Sequence, residues 1–407
     1  RQKDKNIVWV LSFRGQGDQP FWSHDPAFDT PEKRGDMISR VVRKQYDMVR
    51  QKVKDPQCCI ALYGEISELY KAGHIDIPEE IIRVWADNGY GKMVSRRHNN
   101  HNPRIPSLPS KEDKGKHGVY YHVTFHDLQA SNHLTMFPNS ARFLQNELEE
   151  AFRSGALSYL LVNSGNIRPH VYTLDLVREL WCRGFVDVES HLQQYVHRMY
   201  SSYVEDIAVL YREYYEHTIQ YGPNADDRAG EEFYHHPARE IVGHWLRGQH
   251  GQPLSRLYWA TGEVSFREQV GWFHDKCAEA IAGWKTFKAR VEDLLPKMQP
   301  DDQLRLRDHI QFHVELHLSG CEGFAALGDA FEAFMEQRYP VAFVHASLAM
   351  WHYQRGLDVL KAAEHGHWHH FYRADWLTNI KSTVNNMDTL STYPKTSAQR
   401  KQIQAQA

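Results

Sequence analysis

The stretch Ile7–Phe13 reads I-V-W-V-L-S-F and is the first of five short apolar runs in the first 165 residues of the 407-residue chain. The other runs are Cys59–Tyr63, Ile81–Trp85, Val119–Phe125 and Ser158–Asn163. Helix-like segments separate most of these runs, and strands that alternate with helices predict a parallel sheet. Five β/α units are too few to close an eight-stranded barrel, so the sequence predicts part of such a fold.

A second region begins after Val186, where the strand pattern disappears and long helical periodicities follow. These helical stretches are Glu189–Tyr221, Glu231–Arg247, Val264–Leu294, Asp301–Leu318, Gly323–Met335 and Val341–Glu364. Aromatic stripes at helical spacing are typical of the core of a helix bundle. We therefore predict an α/β region followed by an all-α region: a partial β/α barrel over 1–184, an α-helical bundle over 185–385 and a disordered tail over 386–407.

Composition narrows the classes of function. Apolar residues make up 42% of the chain and charged residues 24%, as in ordinary globular proteins. The net charge of −3 gives no general electrostatic reason to expect nucleic acid or a membrane surface. The first residues, R-Q-K-D-K-N, include neither Met nor the apolar stretch of a signal peptide, which suggests an internal fragment or a processed product. The five cysteines have no regular spacing, so we expect buried small hydrophobes.

Charged residues follow the first two strand-like runs. Arg14 and Asp18 lie in R-G-Q-G-D, and Glu65 lies at the start of a helix-like segment. Glycosidic cleavage requires two carboxyl groups, one that protonates the leaving oxygen and one that activates water or attacks the sugar. Taken singly, a Gly-rich turn explains Asp18 equally well, and a favourable helix-dipole position explains Glu65. The pair together favours a glycosidase.

The third and fourth runs end in further candidates for sugar binding. In V-W-A-D-N-G-Y-G, Trp85 offers a stacking surface, and Asp87 and Asn88 offer partners for hydroxyl groups, although D-N-G is also a common turn. His122 lies within V-Y-Y-H-V-T-F, where a ligand-facing histidine and a hydrogen-bonded core histidine both fit.

The fifth run leads into N-S-G-N-I-R-P-H, which supplies the amides of Asn163 and Asn166 and the guanidinium of Arg168. A guanidinium can hold a carboxylate in bidentate geometry. Elsewhere, histidines recur every four residues from His309 to His317, a spacing that can bind zinc. Because no H-E-x-x-H is present among 26 histidines, we predict structural or surface histidines, no metal site and no cofactor.

In their order along the chain, these motifs resemble those of glycoside hydrolase family 115, the xylan α-glucuronidases. The resemblance rests on V-L-S-F-R-G-x-x-D, A-L-Y-G-E-I-S-E-L-Y-K-A-G, V-W-A-D-N-G-Y-G, G-V-Y-Y-H-V-T-F, N-S-G-N-I-R-P and a late W-H-H-F-Y. It implies the last five units of a (β/α)8 TIM-type barrel followed by a helix bundle. It also implies removal of glucuronic acid or its 4-O-methyl ether from xylan with inversion, without a cofactor.

By position, the resemblance makes Asp18 and Glu65 the catalytic candidates. It places Asp87, His122 and the loop Asn163–Arg168 against the uronic acid, and both Arg14 and Arg168 are candidates for its carboxylate. The chain departs from the family where G-D-x-K-P-x-E becomes G-N-I-R-P-H-V. Altered specificity and loss of catalysis both fit this departure, because an amide cannot act as a carboxylate base.

Three classes of function therefore stay open. A glucuronidase-like hydrolase accounts for the paired carboxylates, whereas a non-catalytic or altered-specificity glycan-binding homologue accounts for Asn166 and Val171. A structural or interaction protein built on the helix bundle leaves the strand-end residues unexplained. We expect a carbohydrate partner, glucuronoxylan or its oligosaccharides, without nucleic acid or membrane. A homodimer stays open, and we expect a secreted or periplasmic location.

Overall fold

The computed structural model describes residues 5–15, 19–95, 104–124, 129–373 and 375–392. These residues form two compact units. The sheet unit is drawn from residues 1–125, 141–164 and 175–186, and the helical unit from residues 126–140, 165–174 and 187–407. The chain thus passes into the helical unit twice before the helical region that begins at residue 187.

The sheet unit contains five parallel strands in the consecutive order β1-β2-β3-β4-β5. Their bounds are β1 Val8–Val10, β2 Gln57–Leu62, β3 Ile82–Ala86, β4 His117–His122 and β5 Leu160–Asn163. The helices beside them are α1 Pro31–Arg50, α2 Glu65–Lys71, α3 Ala141–Arg153 and α4 Val171–Arg183. The predicted parallel β/α arrangement is confirmed, and each predicted strand overlaps an observed one.

The two faces of this sheet differ in their cover. Ile60, Leu62 and Trp85 lie on one face and are buried at 2% exposure or less. On the opposite face, Cys59, Ile82 and Val84 are buried in the middle of the sheet, whereas Val10 and Leu161 on the edge strands are 66% and 43% exposed. Both faces of a parallel sheet are normally buried, so the exposure of the edge strands on this second face is unusual for an assembly of this kind.

The helical unit consists of helices with short connections. Their bounds are α5 Val188–Met199, α6 Val204–His217, α7 Glu232–Leu246, α8 Tyr258–Thr261, α9 Phe266–Leu294, α10 Pro300–Leu306, α11 Phe312–Met335, α12 Tyr339–Ala362 and α13 over residues 380–392. A π-helical turn, Arg307–Gln311, joins α10 to α11. None of the described helices combines the length and apolar character needed to cross a bilayer.

Three predicted helices differ in continuity from the structure, because one is split in two and two are joined. The stretch predicted over Glu189–Tyr221 breaks at Tyr203, whose φ of 54° is left-handed. Asp302 fixes this break because its carboxylate accepts the backbone N–H and the hydroxyl of Ser201 at 2.9 and 2.6 Å. Conversely, α11 runs without a stop through Gly320. A Cβ there would lie 2.0 Å from Cε2 of Tyr234, so this glycine permits close approach of two helices.

The predicted disordered tail begins too early. Residues 386–392 continue α13, and Met387 and Leu390 are fully buried. Together with Ile380, also buried, they give this helix an apolar face at helical spacing. The polar composition of the last residues led to the prediction of disorder and obscured this apolar pattern. Residues 393–407 lie outside the described part of the chain.

Candidate functional site

Glu65 and Arg14 form an ion pair near the carboxyl ends of β2 and β1. Arg14 Nε donates to Glu65 Oε1 at 3.0 Å, and the guanidinium lies 4.9 Å from the centre of the Tyr63 ring. Both side chains are largely buried, at 16% and 11% exposure. The structure thus brings together two of the residues that the sequence predicted as a site.

Gly64 places Glu65 at this position. Its φ of 53° and ψ of −121° lie in a region that only glycine adopts readily, so the chain turns from β2 straight into α2. Glu65 is then the first residue of α2, where the helix dipole favours a negative charge. Among the described residues, its carboxylate accepts one hydrogen bond, the one from Arg14.

Asp87 and His122 form a second, fully buried pair. Asp87 Oδ2 accepts the backbone N–H of His122 at 3.0 Å, and Oδ1 lies against His122 Nδ1. The backbone N–H of Gly89 also donates to Oδ1, at 3.0 Å. The carboxylate therefore fixes the orientation of the His122 ring through its Nδ1 edge. This arrangement suits Asp87 better as the residue that orients His122 than as a direct sugar ligand.

Asn88 stabilises the loop that follows β3. Its Oδ1 accepts the backbone N–H groups of Tyr90 and Lys92 at 3.0 and 3.2 Å, as in the D-N-G turn that the sequence offered as the alternative. Lys92 in turn donates to Glu147 Oε1 at 2.6 Å, and burial raises the pKa of Glu147. Asn88 is 1% exposed, so a buried side chain stabilises this loop.

Trp85 does not offer a stacking surface. It is completely buried, and its indole N–H donates to His117 Nδ1 at 3.1 Å. Burial lowers the pKa of His117, which favours the neutral ring that can accept this hydrogen bond. A sugar cannot stack on a ring without an accessible face, so the expectation of a substrate contact at Trp85 is corrected. Residue alternation along β3 turns Trp85 toward the covered face of the sheet.

Tyr120 is a site residue that the sequence analysis missed. Its ring lies 4.3 Å from the ring of His122, and its hydroxyl accepts Asn163 Nδ2 at 3.2 Å. Tyr120 and His122 are two residues apart on one strand and therefore share a face. That alternation in V-Y-Y-H was the signal that could have identified it.

Two further candidates, Asn166 and Arg168, lie in the helical unit. Asn166 Oδ1 accepts the backbone N–H of Arg168 at 3.1 Å. Arg168 is 7% exposed and donates to Asp308 Oδ1 at 3.1 Å. Its guanidinium lies 5.0 Å from the Trp368 ring and 5.4 Å from the Tyr372 ring. Arg168 therefore bonds a carboxylate of its own chain, which the sequence did not predict.

His317, on α11, has structural partners. His317 contacts the hydroxyls of Tyr214 and Tyr234 at 2.7 Å through its two ring nitrogens and stacks on Trp284 at 4.5 Å. Burial lowers its pKa to about 3, so the ring is neutral. Within the described residues, no group of three or more His, Cys, Asp or Glu side chains is arranged to hold a metal ion.

Asp18, the second predicted catalytic carboxylate, lies outside the described residues. Its predicted pairing with Glu65 therefore stays a prediction.

A consecutive parallel sheet with Glu65, Asp87 and His122 at its carboxyl edge is the arrangement used by β/α enzymes, whose reacting groups follow the strands. The sequence profile of glycosyl hydrolase family 115 matches residues 1–224, more than half of the chain. The chain belongs to this family.

Among solved structures, the chain is similar to BtGH115A, described as a family GH115 4-O-methyl-α-glucuronidase with specificity for decorated arabinogalactans. The TM-score is 0.60 at 16% identity, and the similarity covers 95% of this chain and 44% of that one. The chain thus spans less than half the length of BtGH115A, and at this identity the likeness establishes the fold alone.

A second solved structure is a GH138 enzyme described as targeting pectin rhamnogalacturonan II. Its identity is 9%, its TM-score is 0.47, and the match covers 97% of this chain and 62% of that one. A TM-score in this range supports no conclusion about activity. No curated protein sequence matches the chain.

Proposed function

We propose that the protein is a glycoside hydrolase of the α-glucuronidase type. It removes glucuronic acid or its 4-O-methyl ether from the side chains of a polysaccharide, with glucuronoxylan as the expected substrate. The observation that carries the proposal is the Arg14–Glu65 pair at the carboxyl edge of the sheet, in a chain of family 115. The activity printed for BtGH115A makes decorated arabinogalactan a second substrate to test.

In this proposal, Glu65 and Asp18 share the roles of acid and base. One carboxyl group protonates the oxygen that leaves, and the other removes a proton from the water that attacks the sugar from the opposite side. Inverting enzymes hold the two groups roughly 6.5–9.5 Å apart to leave room for this water. Arg14 fixes the direction of the Glu65 carboxylate, and this fixed geometry supports catalysis by lowering the cost of orientation.

In the same proposal, Tyr120 and Asn163 contact the uronic acid, and the fully buried His122, whose ring lies 4.3 Å from the Tyr120 ring, positions Tyr120. Asp87 supports them through His122, whose Nδ1 faces the Asp87 carboxylate. The carboxylate of the uronic acid is assigned to Arg14 or Arg168, since guanidinium groups bind carboxylates in bidentate geometry.

The fold proposed for the intact protein is a (β/α)8 barrel, of which this chain carries the last five units. The exposed residues Val10 and Leu161 support this proposal, because the interior of a closed barrel would cover the face that they occupy. In this proposal, catalysis requires the closed barrel. A location outside the cytoplasm suits a polysaccharide substrate.

The test is Glu65→Gln in the natural full-length protein. Release of uronic acid from oligosaccharides of glucuronoxylan and of arabinogalactan should fall by about 10²–10⁴-fold, the usual contribution of an acid or base group. Glu68→Gln, one helical turn further along α2, is the matched control and should retain activity. Wild-type-like release by the Glu65 variant would remove Glu65 from the mechanism.

A second candidate is a glycan-binding homologue without catalysis or with altered specificity. Asn166 favours it, because the family has a carboxylate there and this amide bonds the backbone of Arg168. Val171 favours it as well, since a valine stands where the family has Glu. If the wild-type protein binds both oligosaccharides and releases no uronic acid, this candidate is correct. Gain of release in the double variant N166D/V171E would then identify the cause.

A further inference from the structure

A groove on the helical unit lies outside the residues assigned to the uronic acid. The π-helical turn Arg307–Gln311 forms one wall, and the last turns of α12 with His365 form the other. The groove has a volume of about 590 Å³. This volume falls within the range of sites that bind small molecules.

The floor of the groove is apolar and its rim is polar. Phe312, Val359 and Ala363 line the floor. At the rim, Arg307 is exposed, and its side chain makes no hydrogen bond or ion pair with any described residue. Asp358 stands at the rim as well, and accepts Gln354 Nε2 at 2.9 Å. The rim therefore offers both a donor group and an acceptor group above an apolar surface.

The deeper charges of the groove are neutralised within the protein. Asp308 accepts Arg168 Nη2 at 3.1 Å and contacts His365 Nε2 at 2.9 Å. Glu315 pairs with Lys288 at 2.6 Å. Since these charges are already paired, the groove does not favour a strongly charged ligand. Its chemistry fits a ligand with hydroxyl groups and an apolar face.

The π-helical turn is a second, independent feature. The backbone N–H of Phe312 bonds to the carbonyl of Arg307, so the helix is widened by one residue at this point. Arg307, Asp308 and Gln311 all belong to this turn and all line the groove. A π turn is less favourable than regular helix, and such turns occur often at functional sites. The irregular backbone thus coincides with the polar wall.

We propose that this groove binds a neutral sugar unit of a polysaccharide main chain. The apolar floor packs against the face of the ring, while Arg307, Gln311 and Asp358 bond its hydroxyl groups. The identity of the ligand class rests on the proposed function, but the binding does not use Glu65 or His122. The groove would thus act as an accessory subsite on the helical unit.

The experiment is direct titration of the 407-residue chain with two uncharged probes, xylotetraose and a β-linked galactotetraose. The two probes distinguish a xylan from a galactan main chain. Isothermal titration calorimetry should show saturable binding of at least one of them. Arg307→Ala and Asp358→Asn should each weaken it about five- to tenfold, the loss expected for one hydrogen bond.

The matched control is Arg338→Ala, since Arg338 is an exposed arginine of the helical unit that does not line the groove. It should bind like the wild type, and melting curves should show all variants folded. Absence of binding by the wild-type chain, or wild-type affinity in both groove variants, would overturn the proposal. Uronic acid release by the full-length protein is scored separately. Loss of sugar binding in Arg307→Ala together with no release by the wild type would support the groove and reject the proposed function.

Discussion

Glu65 of the sheet unit and Glu231 of the helical unit have a similar local sequence and differ in their partners. Each follows a glycine, and each stands at the start of a helix. Both are buried, at 8% and 0% exposure. Among described residues, Glu65 accepts one hydrogen bond, whereas Glu231 accepts several from a distant loop and from the segment that precedes α13.

The loop in question is His133–Thr135. The backbone N–H groups of Leu134 and Thr135 donate to Glu231 at 2.7 and 3.2 Å, and the hydroxyl of Thr135 donates at 2.6 Å. His133 donates its backbone N–H, and Thr378 adds its hydroxyl at 3.2 Å. A carboxylate with all its lone pairs in use holds structure, whereas one with few partners can act on a ligand. The number of hydrogen bonds accepted therefore distinguishes the structural role of Glu231 from the catalytic role proposed for Glu65.

The largest expected effect on stability is at Glu231. Glu231→Ala leaves the N–H groups of the His133–Thr135 loop buried without an acceptor. The free energy of unfolding should fall by about 3–5 kcal/mol, as for other broken buried networks. Urea unfolding followed by circular dichroism measures this change. Glu240→Ala is the control on the same helix, because its partially exposed pair with Arg256 should be worth less than about 1 kcal/mol.

Glu231→Ala and Glu65→Gln should be measured side by side, because the two carboxylates are expected to differ in their effects on stability and activity. The Glu65 variant should lose activity with little change in stability, and the Glu231 variant should lose stability first. Equal stability losses at both positions would show that hydrogen-bond saturation does not separate the two roles.

The second prediction concerns Gly320, which lets α11 pass close to α7. A methyl group at this position would lie 2.0 Å from the Tyr234 ring, so Gly320→Ala should destabilise the helical unit by about 3 kcal/mol. Gly271→Ala is the matched control within α9, where no atom lies within 4 Å of the new methyl group. That variant should gain about 0.5–1 kcal/mol from helix propensity. Thermal unfolding of both variants should therefore give shifts of opposite sign.

The third prediction uses the buried histidines of the helical unit. His170 is fully buried, and neither ring nitrogen has a hydrogen-bond partner among the described residues. Burial, with a smaller contribution from the nearby His133, lowers its pKa to about 3. Because the unfolded pKa is about 6.5, the contribution of His170 is present above that pH and is lost as the pH falls toward 3. The loss is about 1.4 kcal/mol per pH unit.

His170→Gln should remove this contribution to the pH dependence. Urea unfolding at pH 7, 6 and 5 should show a slope below pH 6 that is smaller by about 1.4 kcal/mol per unit. His367→Gln is the control, because that exposed ring stays in water in both states. The raised pKa of Glu232, about 8 through burial, acts in the opposite direction but is common to all variants. Parallel slopes for wild type and His170→Gln would contradict the assignment.

The sequence predicted features that depend on neighbouring residues, but it did not predict contacts between residues that are far apart in the chain. Strand positions were predictable because apolar runs are local, and all five are confirmed. The stop predicted near Gly320 was wrong, since glycine commonly ends a helix and the Tyr234 ring that fills the space is remote in sequence. The partners of Glu65 and Glu231 were not predictable for the same reason. Alternation along β3 turns Trp85 to one face of the sheet, but it could not say which face is covered.

The smallest effect on stability is expected for a substitution at Trp85, which tests whether this residue lies on the covered face of the sheet. Trp85→Phe removes the indole N–H that donates to His117 and leaves a small space beside Tyr70. The free energy of unfolding should fall by about 1 kcal/mol, the value of one hydrogen bond. Affinity for glucuronoxylan oligosaccharide should stay at the wild-type level, because the ring has no face exposed to a ligand. Calorimetric titration measures the affinity and urea unfolding the stability. Loss of affinity without loss of stability would return Trp85 to the sugar contacts and would place a chemical residue on the covered face of the sheet.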